Sequence, residues 1–141
     1  LPGYDMPLIL KSGLFRQKNK NGGITVTVKE IMSALHADLL CGENKLSQEC
    51  LAGCGCDLMS DVLAFPKEHM CLLTGLTNSH VVRTCEMLDV VCIVFVRGKQ
   101  PPADALELAR ELDIAVMSTS LTLYEACGKL YALGLPGKNT L

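Results

Sequence analysis

The sequence contains no tryptophan, and only three tyrosines and three phenylalanines among its 141 residues. Platforms on which nucleic-acid bases stack need several aromatic faces, so single-strand binding of that kind is excluded. An excess of one charge is missing as well: 13 Lys and Arg stand against 15 Asp and Glu, for a formal net charge of −2. That balance provides no basic face to neutralise a phosphate backbone. Long hydrophobic runs are absent too. The longest strong one, Val90–Val96, has the length of a strand and falls well short of the ~18 apolar residues that span a bilayer. No secretory signal is visible, because the first residues lack a sustained apolar core with a small-residue cleavage site, and the basic residues follow the apolar patch Pro7–Leu10. The expectation is a cytoplasmic protein with neither nucleic acid nor membrane as a partner.

Apolar material is what the chain does have. At 49% hydrophobic and 20% charged, it fills a real core of single-domain size, and intrinsic disorder is ruled out for most of it. Eight cysteines stand out. In a reducing compartment they are expected to be free or metal-bound, not bridged.

Residues 1–23 differ from the rest. Lys11, Arg16, Lys18 and Lys20 outweigh the single acid Asp5, and the segment ends in Lys-Asn-Lys-Asn-Gly-Gly, which predicts a flexible basic tail. The absence of an initiating Met is read as a sign of processing or of added residues. Regular structure is expected over 24–135, with 136–141 a short C-terminal tail.

Thr27-Val-Lys-Glu30 is a capping box that opens a helix running to about Leu35. Ala37–Cys41 reads as a strand, Gly42–Ser47 as a polar loop, and Cys50–Cys56 as a small, glycine-rich strand. Asp57 is positioned to cap a helix Leu58–Phe65 that Pro66 closes. Met70–Thr74 is a buried-type strand, followed by a turn and a helix His80–Leu88. The β-branched run Val90–Val96 marks a strand covered on both faces. A loop Arg97–Pro102, a helix Ala103–Leu112 and a strand Ile114–Met117 come next. A second capping box, Thr122-Leu-Tyr-Glu125, opens a helix to Leu133 that stops at Gly134. Alternating strands and helices imply right-handed crossovers: a small three-layer α/β sandwich with a mainly parallel sheet and helices on both faces.

In such a sheet, ligands bind beyond the carboxyl ends of the strands. Three loops belong there: Thr74-Gly-Leu-Thr-Asn-Ser79, Arg97-Gly-Lys99 and Ser118-Thr-Ser-Leu-Thr122. Free backbone N–H groups at helix starts favour an anion. Gly75 and Gly98 let backbone approach a ligand, and Arg97 or Lys99 adds positive charge. The candidate ligand site is therefore Thr74, Gly75, Thr77, Asn78, Ser79, Gly98, Lys99, Thr119 and Ser120, taking a small anion such as a nucleotide. The competing reading has the same hydroxyls and amides merely capping helices. No Walker A or Gly-x-Gly-x-x-Gly pattern is present, so nucleotide hydrolysis and dinucleotide binding have no motif behind them.

The spacing Cys50-x-x-x-Cys54-x-Cys56 is compact enough for zinc or an iron–sulfur cluster if Cys41 or a second subunit supplies a fourth thiolate. It lacks the usual Cys-x-x-Cys pairing. Cys71, Cys85, Cys92 and Cys127 fall on strands or apolar helix faces, where cysteine is a small hydrophobe. A thiol enzyme needs an adjacent base, and the candidates are His69 two residues before Cys71, and His80 in a helix's first turn. No orienting third group or nucleophile elbow accompanies them, so no catalytic residue is assigned.

The stretch Gly53-Cys-Gly-Cys-Asp-Leu-Met-Ser-Asp-Val-Leu-Ala64, the strand-turn Leu72-Leu-Thr-Gly-Leu-Thr-Asn78 and the run Ala103–Leu133 with its Thr-Leu-Tyr-Glu-Ala resemble a stand-alone DRTGG domain. Thr27-Val-Lys-Glu-Ile31 and Asp38–Glu43 join the likeness, which covers nearly all of Val26–Leu135. Where the Asp-Arg of the family name is expected, this chain has Leu76-Thr77, and where Thr-Gly-Gly is expected it has Val96-Arg97-Gly98. DRTGG domains occur as accessory modules of HPr kinase-like and phosphotransacetylase-like proteins and inside some CBS-domain pyrophosphatases. The small members are often labelled hydrogenase-associated. The resemblance implies a non-catalytic, ligand-sensing regulatory domain that forms a homodimer. The alternative is an iron–sulfur or zinc accessory protein that uses Cys50, Cys54 and Cys56 and serves a redox-enzyme partner.

Overall fold

In the computed structural model, residues 25–138 are described; the basic segment 1–23 lies outside the described residues. Capping chemistry starts the fold. After the short strand β1 (Val26–Thr27), the Thr27 hydroxyl accepts from the Glu30 amide at 3.2 Å, and Glu30 Oε1 accepts from the Thr27 amide at 3.1 Å. The reciprocal pair satisfies two amides that the first turn of α1 (Val28–Leu35) would leave open. The chain then runs through β2 (Asp38–Cys41), a short 3₁₀ turn Glu43–Lys45, β3 (Glu49–Cys50), β4 (Ala52–Gly55) and α2 (Met59–Ala64). Next come β5 (Met70–Thr74), α3 (Ser79–Glu86), β6 (Val90–Phe95), α4 (Ala103–Glu111), β7 (Ala115–Ser118) and α5 (Leu123–Leu133).

The main sheet has the order β2-β7-β6-β5-β4. Strands β4 to β7 run parallel, and β2 adds an antiparallel edge against β7. The expected α/β layering with a mainly parallel sheet is therefore what the chain adopts. β1 and β3 form a separate antiparallel pair.

Strand β6 explains why two helical layers are needed. Its residues are buried on both sides: Cys92 and Val94 pack under α1 and α5, while Ile93 and Phe95 pack under α2, α3 and α4. A half-covered sheet would expose one of those sets, at about 1.5–3 kcal/mol for each large side chain. Among the described residues no helix is long and apolar enough to cross a membrane.

Two expectations need correction. The segment Cys50–Cys56 is not one strand. It breaks at Leu51, so that Cys50 ends β3 in the small sheet while Cys54 belongs to β4 in the large one. Asp57 does not cap the following helix either: Leu58 is the N-cap of α2, without a side-chain cap bond. The outer strand β4 also meets the end of the chain, because the Gly53 amide donates to the Pro136 carbonyl at 2.8 Å.

Candidate functional site

Parallel strands in register end together. Leu73 pairs with Gly55 and with Val94, and Phe95 pairs with both Thr74 and Ser118, so four loops leave the sheet side by side. These are the starts of the β4–α2, β5–α3, β6–α4 and β7–α5 connections.

Asp57, in the first of these loops, reaches to the second. Its Oδ1 accepts from the Thr74 hydroxyl at 2.9 Å and from the Gly75 amide at 2.7 Å. The Gly75 amide lowers the Asp57 pKa most; burial opposes it, and the Thr74 hydroxyl and the cations Arg97 and Lys99 add to the lowering, so that the pKa falls below its ordinary value. Thr74 is fully buried, and its oxygen also accepts from the Leu76 amide at 3.2 Å. Its hydroxyl is therefore engaged within the clasp.

Gly75 is where two loops touch. A Cβ placed there would stand 2.6 Å from a guanidinium nitrogen of Arg97 and 3.5 Å from Asp57 Oδ2. The guanidinium thus lies directly against Gly75, and a side chain there would push it aside. Arg97 is brought over it by a tight turn: Arg97 and Gly98 take left-handed backbone, φ 59° and 68°, and the Lys99 amide donates to the Val96 carbonyl at 3.2 Å. Two successive residues of positive φ make a mirror-image turn, and glycine at the second position removes half of its steric cost. The turn is anchored to the last loop, since the Arg97 amide donates to the Leu121 carbonyl and the Gly98 amide to the Thr119 carbonyl, both at 2.8 Å.

The other nominated residues divide. Thr119 is buried, and its hydroxyl donates to the Leu35 carbonyl at 2.8 Å, tying the last loop to the end of α1. Asn78 caps α3, its Oδ1 accepting from the Val81 amide at 3.3 Å. Thr77 and Ser79 are half-buried beside it, and Ser120 is exposed. Arg97, Gly98 and Lys99 face solvent. Neither cationic side chain has an ion pair among the described residues. Asp57 is the residue that sequence reasoning misplaced. An Asp ahead of a helix signals a cap, and nothing local shows that its partners lie across the sheet on β5.

The cysteine triplet does not assemble. Cys50 is wholly buried in the core under α1 and α5, whereas Cys54 and Cys56 pack against the core under α2, α3 and α4. Cys41 sits on β2, at the opposite edge of the sheet from β4. No group of three His, Cys, Asp or Glu able to hold a metal occurs among the described residues, so the zinc or iron–sulfur expectation is not supported by the donor geometry.

The thiol-enzyme pair fails as well. Cys71 is fully enclosed, and its thiol donates to Cys92, its register partner on β6; that bond and burial push its pKa far up. His69 is engaged elsewhere, with Nδ1 3.3 Å from Asp89 Oδ2 and its amide donating to the same oxygen. A neutral, buried thiol is no nucleophile.

Comparison with protein-family models and with curated proteins gives no match. Among solved structures, the chain is similar to the CBS and DRTGG domains of the regulatory region of Clostridium perfringens pyrophosphatase, complexed with its activator diadenosine tetraphosphate. The TM-score is 0.64 at 17% identity, over 97% of this chain and 54% of that one. The chain thus spans about half the length of that regulatory region, and what the two share is the fold.

Proposed function

We propose that this chain is a non-catalytic, DRTGG-like regulatory domain that senses a small anionic ligand at the carboxyl edge of its sheet. The observation that carries this reading is the placement of Arg97 and Lys99. Two exposed cations without ion pairs among the described residues sit on one turn, and the guanidinium of Arg97 lies against the glycine that follows β5. Exposed cations at such an edge favour a phosphate or carboxylate. Likeness in fold to a regulatory region that binds a dinucleoside polyphosphate supports the same class of ligand. Among the described residues, neither the thiol pair nor the cysteine triplet assembles.

The test is thermal unfolding against a panel of nucleotides and phosphorylated metabolites. A ligand at about 100 times its Kd stabilises the fold by about 2.7 kcal/mol, an upward shift of several degrees. No shift with any member of the panel sinks the proposal.

Self-association belongs to the same proposal. Strand β4 is a sheet edge, and Leu63 and Phe65, at the end of the helix that follows it, are exposed beside an open groove lined by Ala64, Pro66, Lys67, Gly137 and Lys138. Light scattering showing only monomer at micromolar concentration overturns the homodimer.

A further inference from the structure

A cavity lies at the other end of the sheet, where the parallel strands begin. It encloses about 220 Å³ and is lined by Leu40 and Cys41 at the end of β2, by Glu43 on the 3₁₀ turn, and by Arg110, Asp113 and Ile114 where α4 gives way to β7. At about 30 Å³ per water, that is room for about seven waters.

The walls are braced without using two of the charges on them. Asp113 follows the end of α4 with left-handed backbone, φ 60°, a place usually given to glycine, and its carboxylate stands at the negative end of the helix dipole. The facing turn holds it there: Asn44 donates to Oδ1 at 3.1 Å, and Lys45 pairs with Oδ2 at 2.9 Å. Gly42 pins that turn against the start of β7, since a Cβ there would stand 2.6 Å from the Ala115 Cα. The most enclosed lining residues are Cys41 and Ile114. The Cys41 thiol donates to the Ile114 carbonyl at 3.5 Å, so its one donor is spent, and with Leu40 and Ile114 it offers apolar contact.

Glu43 and Arg110 remain. Their side chains have no hydrogen bond or ion pair among the described residues, although their neighbours Lys45 and Asp113 are paired. Both charges reach the same sulfur. Burial pushes the Cys41 thiol up, Arg110 and the Val116 amide draw it down, and Glu43 adds to the rise. A carboxylate and a guanidinium thus border one cavity without bonding each other.

Each asks for its complement. The guanidinium fork suits a carboxylate, the Glu43 carboxylate suits an ammonium, and the small molecule that carries both a few bonds apart is an α-amino acid. A simple anion would satisfy Arg110 but meet the like charge of Glu43, and a simple cation the reverse. Size excludes a nucleotide, because even drug-sized ligands take roughly 300–1,000 Å³.

We infer that this cavity binds a small aliphatic α-amino acid, its carboxylate on Arg110, its ammonium on Glu43 and its side chain against Leu40, Cys41 and Ile114. The site lies at the opposite end of the sheet from Arg97 and Lys99, and neither site depends on the other.

The test is an amide chemical-shift titration of the full 141-residue chain. The probes are L-valine, isovalerate, which lacks the ammonium, isobutylamine, which lacks the carboxylate, and L-tryptophan, which is too large for the cavity. L-Valine is expected to shift the amides of residues 41–44 and 110–114 with a Kd below about 1 mM. Isovalerate and isobutylamine bind at least about tenfold more weakly, and so does L-valine to Arg110→Gln and to Glu43→Gln, because each change leaves one charge unmatched. L-Tryptophan leaves these amides unmoved.

No shift of these amides by about 10 mM L-valine overturns the assignment. Equal binding of isovalerate or isobutylamine overturns it as well, by showing a site for a single charge, and so does equal binding of L-tryptophan or undiminished binding of L-valine to both variants. If a variant fails to fold, the four probes on the unaltered chain decide the question. A flat thermal panel with nucleotides counts against the anion edge alone, and a failure here leaves that edge standing.

Discussion

Cys50, Cys54 and Cys56 are close in sequence yet pack into two different cores, whereas Asp57, Gly75 and Arg97, far apart along the chain, converge on one point. The difference lies in how a parallel sheet collects its chain. Each right-handed crossover returns the next strand in the same direction, so strand ends distant in sequence accumulate at one edge. Cysteines placed at a fixed spacing share a face only while the strand persists. Here the chain leaves the small sheet at Cys50 and joins the large one at Ala52, and the period-two alternation is broken between them. Convergence by topology therefore outweighs proximity by spacing.

The largest effect that can break this contrast is in thiol reactivity. Cys54 and Cys56 are half-buried, whereas Cys50, Cys71, Cys85 and Cys92 are buried, and burial raises the Cys85 pKa to about 12. Alkylation of the folded protein at neutral pH, read by peptide mass, is expected to modify Cys56 first and Cys54 more slowly, since burial raises the Cys54 pKa. The buried four, and Cys41, which is buried as well, react only as fast as the fold opens, slower by orders of magnitude. Comparable rates at Cys50 and Cys56 would return the triplet to a single exposed patch.

Substitution sharpens the same comparison at smaller cost. Cys50→Ser puts a hydroxyl into a wholly apolar site and is expected to lower stability by about 1–3 kcal/mol in urea titration. Cys56→Ser, beside solvent, stays within about 0.5 kcal/mol. At the ligand edge, Thr119→Val removes the donor to the Leu35 carbonyl and the acceptor for the Leu121 amide, at about 1–2 kcal/mol. Its neighbour Ser120→Ala is neutral. Equal effects at 119 and 120 would mean that the buried threonine does no more than its exposed neighbour.

Much of this architecture was legible in the sequence, and the reason is local. The capping box at Thr27, the N-cap at Thr122, whose expected reciprocal bond from Glu125 goes to the hydroxyl and not to the backbone amide, the C-cap at Gly134 and the apolar run of β6 each carry their signal within a few residues, and the helices and parallel strands formed where those signals stood. The grouping of the β5, β6 and β7 loops followed from topology alone. What stayed hidden is non-local. Asp57 carries the local signature of a cap, but its partners lie on β5. The left-handed backbone of Arg97 has no mark in its residue type, since a positive φ is expected of the glycine beside it and not of an arginine. Thr119 looks like a loop hydroxyl open to ligand, and only the packing of α1 against the last loop shows that its oxygen is already engaged.

The smallest effect concerns the charge of Asp57 and follows from its lowered pKa. A carboxylate favoured in the folded state contributes stability that is complete above its unfolded pKa, near the ordinary value of 3.8, and is lost as pH falls through the lower folded value. Asp57 is exposed, so screening by solvent keeps this contribution under about 1 kcal/mol. Asp57→Asn retains an acceptor for Thr74 and Gly75 but has no charge to lose. The difference in urea midpoint between the unaltered chain and D57N is therefore expected to hold steady from about pH 7 to about pH 5, and to close as pH drops below about 4. A difference that stays constant down to about pH 3 would assign the clasp to hydrogen-bond geometry alone. The negative charge would then contribute nothing to folding.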